Sequence, residues 1–124
     1  MDNQMFPMLE GLLNLTARRQ QALASNIANI DTPGYKSLDV PFQQELSMSL
    51  RMAATEPSHM IQPALTAASA FVESGGEIKP NGNNVDLDRQ MTELTKNGLQ
   101  YITLVQYLNQ KLRTLRSSIN EGGR

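Results

Sequence analysis

Hydrophobic positions along the chain fall into two long periodic stretches, separated by a stretch with no sustained period. Stepping by alternate fours and threes from Met5 visits Leu9, Leu12, Thr16, Arg19, Leu23, Asn26 and Ile30, and five of these eight positions are apolar. Leu13, Leu15 and Ile27 widen the stripe, and the Ala, Leu, Gln and Arg between them are good helix formers. The spacing predicts an amphipathic helix over 5–30. Asp31-Thr32-Pro33-Gly34 supplies its stop: a turn former, a residue biased away from helix by the following proline, and a glycine free to take positive φ.

The same stepping from Leu87 gives Met91, Leu94, Gly98, Tyr101, Val105, Leu108, Leu112, Leu115 and Ile119, so that nine of ten positions are apolar or aromatic. A 3.5-residue period held over more than four heptads is a coiled-coil pattern. Asp86 or Asp88 can cap its start, Lys111, Arg113 and Arg116 lie toward the end where cations are favoured, and Gly122-Gly123 closes it. At ~1.5 Å per residue this helix is a rod of about 50 Å, longer than a globule of this size requires.

The segment between, Lys36 to Asn84, is broken by Pro41, Pro57, Pro63 and Pro80. Phe42, Leu46, Leu50 and Ala53 recur at helical spacing, with Pro41 in the first turn and Asp39 as cap, which predicts a short helix. From Met52 to Val72 the only charge is Glu56 and no period emerges. Gly75-Gly76 and Pro80-Asn81-Gly82 are turn chemistry, and Glu77 to Lys79 suits a short extended piece. The expected fold is mainly α. Its N- and C-terminal long helices pack as an antiparallel coiled-coil-like hairpin, beside an irregular middle with a short helix. The expected segments are 1–35, a variable and partly disordered 36–81, and 82–124.

Composition narrows the function classes. The chain has 124 residues, one domain's worth, with eleven basic and twelve acidic side chains. That balance is poor for nucleic-acid binding. Without cysteine, a disulfide scaffold or Cys-ligated metal is excluded, and a single histidine excludes a His-rich cluster. Leu, Ile, Val and Phe total 29 of 124, or 23%, just above the level expected of a disordered chain, so the core is thin. The longest uncharged run, Pro57 to Val72, is too short and too polar to span a bilayer, so no direct membrane insertion is expected. Met1 to Pro7 holds no basic residue ahead of an apolar stretch, so a cleaved secretory signal is not expected; a cytosolic protein and one exported by an uncleaved route look alike here.

Catalytic chemistry finds little footing. His59 lies between Pro57 and Pro63 with no Gly-x-Ser-x-Gly turn, and no glycine-rich phosphate loop is present. Asp86 and Asp88 stand two apart, pointing away from each other on a helix, which suits capping. Arg18 and Arg19 suit a solvated face or ion pairs between subunits. No catalytic, cofactor-binding or metal residue is expected.

Two clusters carry more information. In Asn26-Ile27-Ala28-Asn29-Ile30-Asp31-Thr32-Pro33-Gly34-Tyr35, two asparagines three apart share one face at a helix end, where they compete with the backbone for hydrogen bonds. Either they mark a frayed cap, or Asn26 and Asn29 bond the backbone of a neighbouring segment while Thr-Pro-Gly-Tyr fixes a rigid exit. The second cluster, Gly82-Asn83-Asn84-Val85-Asp86-Leu87-Asp88, reads as a turn running into a capped helix.

On these residues the chain resembles the flagellar basal-body rod protein family. Its N-terminal signature, Asn-x-Ala-Asn-x-x-Thr-Pro-Gly-Tyr, is matched at Asn26, Ala28, Asn29, Thr32, Pro33, Gly34 and Tyr35. The second cluster, with Gly82, Asn83, Asn84, Val85 and Asp86, is similar to the lead-in to the C-terminal helix in the proximal-rod branch of that family; Gln90 departs from a more usual acidic residue. The resemblance covers both ends of the chain and leaves 37–81 matched mainly in length and character. It implies a structural subunit, not an enzyme, exported unfolded through the flagellar type III channel and assembled into a helical tube crossing the periplasm. Implied partners are copies of itself, other rod subunits (FlgC-like and distal rod), a FliE-like adaptor, the export gate and the MS ring.

Leu9, Leu12, Leu23, Ile27 and Ile30, together with the nine apolar positions of the second stripe, are then expected to pack between subunits. Two other readings stand beside this one: a cytosolic helical-hairpin adaptor or chaperone-like binding protein, which the coiled-coil stripe alone allows, and a small hydrolase using His59.

Overall fold

The computed structural model describes residues 2–44, 46–47 and 71–123. Two helices dominate: α1 (Asp2–Ala28) and α2 (Leu87–Gly122). Between them a two-residue antiparallel ribbon joins β1 (Leu38–Asp39) to β2 (Val72–Glu73), pairing Leu38 with Glu73 and Asp39 with Val72. Helix α1 begins three residues before the expected start and ends two before the expected end. The extended piece expected at Glu77 to Lys79 is not a strand; the strand forms at Val72–Glu73 instead, where Ser37 can meet Ser74 through main chain and hydroxyl. Residues 42–44 and 46–47 are helical, as the short-helix pattern predicts; Leu50, Ala53 and His59 lie outside the described residues. Asp39 does not cap that turn but accepts from the Val40 amide (2.7 Å) and pairs with Arg19.

The helices run antiparallel: Asn26 meets Gln90, Arg19 meets Glu93, Thr16 meets Asn97, and Met5 meets Tyr107. The central part of the apolar stripe of α1 is buried inside this chain. Leu9, Leu12, Leu15, Ala22 and Leu23 are buried, and Val40, Met8 and Phe42 close over Leu15. Burial of one such side chain contributes about 1.5–3 kcal/mol, so this stripe carries most of the apolar stabilisation of the pair.

What α2 turns toward α1 differs from the expected seam. Its buried residues are Gln90 and Asn97, both polar, each hydrogen-bonded to α1. Half-buried Leu94, Leu104, Leu108 and Leu115 continue that line. Leu94, Leu108 and Leu115 are seam positions themselves, so the four-three line through Gln90, Leu94, Asn97, Leu104 and Leu108 shares alternate positions with the seam. Gln90 answers the buried amide of Asn26, and Asn97 bonds the Thr16 carbonyl and Gln20, so two polar side chains sit in line with these leucines against α1.

Length carries part of α2 beyond α1. At ~1.5 Å per residue α2 is about 54 Å long and α1 about 40 Å. The Tyr107 hydroxyl stands 3.9 Å from Met5 Sδ, near the start of α1, and α2 runs on to Gly122 from there. Roughly 18 Å of α2 therefore projects past the end of α1.

Candidate functional site: the motif junction and the exposed helix seam

The two motif clusters interlock at one end of the hairpin. Asn26, fully buried in the last turn of α1, makes four hydrogen bonds. Its Nδ2 donates to the Leu38 carbonyl (2.7 Å) and to Gln90 Oε1 (3.0 Å). Its Oδ1 accepts from the Leu38 amide (2.8 Å) and the Tyr35 hydroxyl (3.1 Å). The side-chain amide thus stands in for a neighbouring strand, engaging both main-chain groups of Leu38, and joins α1, β1 and α2 at one point. Gln90, the departure from the family pattern, keeps the required acceptor: a carboxylate there would receive the same Asn26 proton.

Asn29 acts otherwise. Its Nδ2 donates to the Ser25 carbonyl (2.8 Å) and its Oδ1 accepts from the Thr32 hydroxyl (3.1 Å), so it caps its own helix instead of holding a neighbouring segment. The neighbouring segment comes to α1 through Asn83. Buried Asn83 directs Nδ2 at the carbonyls of Asn29, Ile30 and Thr32 (2.9, 3.0 and 2.9 Å), groups left without helical partners where α1 ends. Its Oδ1 accepts from the Val85 amide at 2.8 Å. Asn84 Oδ1 accepts from the Ser37 amide at 2.6 Å, and Asp86 caps α2 by accepting from the amides of Asp88 and Arg89.

Two glycines make the approach feasible. Gly34 (φ 73°) and Gly82 (φ 82°) both occupy the left-handed region, and a Cβ on Gly82 would sit 3.3 Å from the Gly34 Cα. A side chain at Gly82 would meet both the backbone penalty and the facing turn. Lys36 reaches across to donate to the Gly82 carbonyl.

Arg19 ties the middle of the hairpin. Its Nε donates to Asp39 Oδ1 at 3.0 Å and one terminal nitrogen to Glu93 Oε2 at 2.8 Å, with only 15% of its side chain exposed. Burial disfavours the charged guanidinium, but the bonds and charges of Asp39 and Glu93 outweigh it and raise the pKa above its ordinary value. This arginine serves an ion pair within one chain, in place of the solvated or intersubunit role expected. Arg18 lies over the Phe71 ring, 5.6 Å from its centre.

The other feature is the outward face of α2. Leu87, Met91, Tyr101, Ile102, Leu112 and Ile119 are exposed, Ile119 at 73%. Of the residues expected between subunits, Leu9, Leu12 and Leu23 lie buried within the single chain, and Ile27, Ile30, Leu94, Val105, Leu108 and Leu115 are half-buried. Leu87, Met91, Tyr101, Leu112 and Ile119 remain open. Among the described residues no helix is long and apolar enough to cross a membrane. Asn83, Gln90 and Asn97 were not legible as buried bridging residues. For Gln90 and Asn97 the available signal was the run Leu94, Leu104, Leu108 and Leu115 at four-three steps from them; Asn83 precedes the helix and carries no such signal.

Comparison with known proteins places these features. A family profile described as "Flagella basal body rod protein" matches residues 10–36. The chain is 37% identical to the flagellar basal body rod protein FlgB of Bacillus subtilis, over 92% of both chains. It is 34% identical to the FlgB protein of Escherichia coli, covering 89% of this chain and 88% of that one. To the FlgB protein of Buchnera aphidicola it is 32% identical, over 91% and 92% respectively.

Proposed function

The chain belongs to the FlgB family of flagellar basal body rod proteins, structural subunits rather than enzymes, and from that premise we propose that it builds the proximal rod by helical polymerisation. One observation carries the polymerisation step: five seam positions of α2 spread from Leu87 to Ile119 stay exposed, while Leu9, Leu12, Leu15 and Leu23 of α1 are already buried within the chain. Sister subunits complete the packing. Covering the exposed halves of Leu87, Met91, Tyr101, Leu112 and Ile119, at ~1 kcal/mol each, supplies about 5 kcal/mol before entropy. The entropy of fixing a subunit is of the same order, so a single contact is weak and an array with several contacts per subunit is favoured.

The finer assignments follow from the same reading. The subunit leaves the cell interior without a cleaved signal. A chain lacking cysteine cannot be blocked in a narrow export channel by a disulfide. In the periplasm it joins copies of itself, other rod subunits (FlgC-like and distal rod), a FliE-like adaptor, the export gate and the MS ring. Torque passes along the bundled helices.

Fractionation tests the reading. The chain is expected in purified hook–basal bodies, and Leu112→Asp, at an exposed site, is expected to abolish incorporation and motility while leaving secretion intact. A wholly cytosolic pool would replace the rod reading with a soluble adaptor. Normal rods built from Leu112→Asp would refute the role of the open seam.

A further inference from the structure

A groove of about 560 Å³ lies between the outward sides of α1 and α2. Ala17 and Ala24 of α1 and Gly98 of α2 form its low floor, and exposed Tyr101 and Ile102 form an apolar wall. A Cβ built on Gly98 meets nothing within 4 Å, so the space is open to an incoming side chain. Asn97 lines the same groove and is 1% exposed. Its Nδ2 donates to the Thr16 carbonyl (2.9 Å) and to Gln20 Oε1 (2.8 Å), but its Oδ1 has no hydrogen-bond partner among the described residues. Buried acceptors are rarely left unpaired, so the groove lacks an occupant that brings a donor.

The chain itself carries a segment that fits. The part of α2 projecting beyond α1 presents Leu112, Leu115 and Ile119 at the four-three step, with Arg113 and Arg116 beside them as N–H donors. The face to be covered and the groove lining are both uncharged, while the flanking cations are matched by Glu10, exposed one heptad before Ala17 on the same side of α1. Groove and projection sit on one helix, roughly 20–30 Å apart along its axis, so neither can fold back onto the other. The projection can therefore reach this groove only from a second copy.

We propose that the projecting end of α2 of one copy docks in the Ala17–Ala24–Gly98 groove of the next. This rests on the rod reading above and specifies its contact. Each copy offers a groove and, further along, a projection, so copies with parallel helices make a head-to-tail contact that propagates instead of closing into a dimer. With parallel helices it sets an axial step of roughly 20–30 Å between contacting copies. One short helix in one groove falls below the ~800 Å² per partner of a stable complex, so the contact forms at high concentration or within an array.

The absence of cysteine makes disulfide trapping clean. Full chains carrying Gly98→Cys are mixed at high concentration with chains carrying Leu112→Cys or Ile119→Cys, then oxidised. At least one mixture is expected to give heterodimer several-fold above the control of Thr92→Cys, on another face of α2, with Ile119→Cys. No excess over that control, or Gly98→Cys pairing preferentially with itself, overturns the proposal. Gly98→Leu supplies a second measurement, since it fills the groove from a position with free space around it. It is expected to keep the far-ultraviolet spectrum and melting temperature and to lose concentration-dependent assembly; assembly at the unsubstituted level overturns the proposal. In cells, normal rods built from Gly98→Leu would discard this contact while the rod reading stands. Absence of even the unsubstituted chain from basal bodies would discard the rod reading itself.

Discussion

Replacing Asn26 by Ala tests whether one side-chain amide holds three elements together. Asn26 is fully buried, and its four hydrogen bonds end on the Leu38 amide and carbonyl, Gln90 Oε1 and the Tyr35 hydroxyl. Truncation removes all of them. Gln90 is 5% exposed and loses the donor it received, whereas Leu38 and Tyr35 are half-buried and can recover water. Tyr35 also keeps a contact with the Ser25 hydroxyl at 3.3 Å. A net loss of ~1 kcal/mol per rehydrated bond and up to ~3 kcal/mol for the buried orphan gives about 3–5 kcal/mol in all. That is a large part of the ~5–15 kcal/mol a domain possesses. Urea unfolding followed by circular dichroism, at a concentration low enough to keep the chain monomeric, reads it as a lower midpoint with an unchanged slope. Asn29→Ala is the internal comparison: its bonds stay within its own turn and its site is half-exposed, so ~1 kcal/mol or less is expected. Asn26→Asp separates geometry from size. It retains an acceptor but sets carboxylate oxygens against the Leu38 carbonyl and Gln90 Oε1. It should be at least as damaging as Ala at neutral pH and partly recover as falling pH protonates the introduced carboxyl. A loss below ~1 kcal/mol for Asn26→Ala, with the slope unchanged, would refute the bridging argument.

Two further outcomes follow from the same geometry. Arg19→Met should cost about 1–3 kcal/mol, because it takes the guanidinium from both Asp39 and Glu93, which among the described residues keep only the Val40 amide and Lys96, and the deficit should narrow in high salt. The raised pKa of Arg19 means its contribution is fully present at all pH below the ordinary arginine value and is lost only above it, so an Arg19-dependent change between pH 6 and pH 10 would count against this assignment. Gly82→Ala should cost about 1–3 kcal/mol in thermal melts, since the left-handed φ and the facing Gly34 both resist a Cβ; an unchanged melting temperature would show that the two turns do not abut in solution.

The sequence by itself determined both long helices, the cap at Asp86, the glycine closure after Gly122, and the stripe Leu9–Leu12–Leu23 that becomes the core, because each rests on local periodicity or local backbone chemistry. It also marked Asn26 as a residue in conflict with a helix interior, which signals a bond outside the helix without naming the partner. Which partner, and which face of α2 turns inward, only the tertiary structure decided. The seam and the line through Gln90, Leu94 and Asn97 share alternate positions and differ at the others, where the seam has Leu87, Met91, Gly98 and Val105 and the inward line has Gln90, Asn97 and Leu104, so periodicity favoured the more apolar of the two. Buried Asn26 instead draws in Gln90, because leaving its amide unpaired costs more than exposing part of an apolar side chain, and Asn97 follows on the same line. Leu87, Met91, Tyr101, Leu112 and Ile119 of the longer helix stay exposed for that reason, where other subunits can reach them.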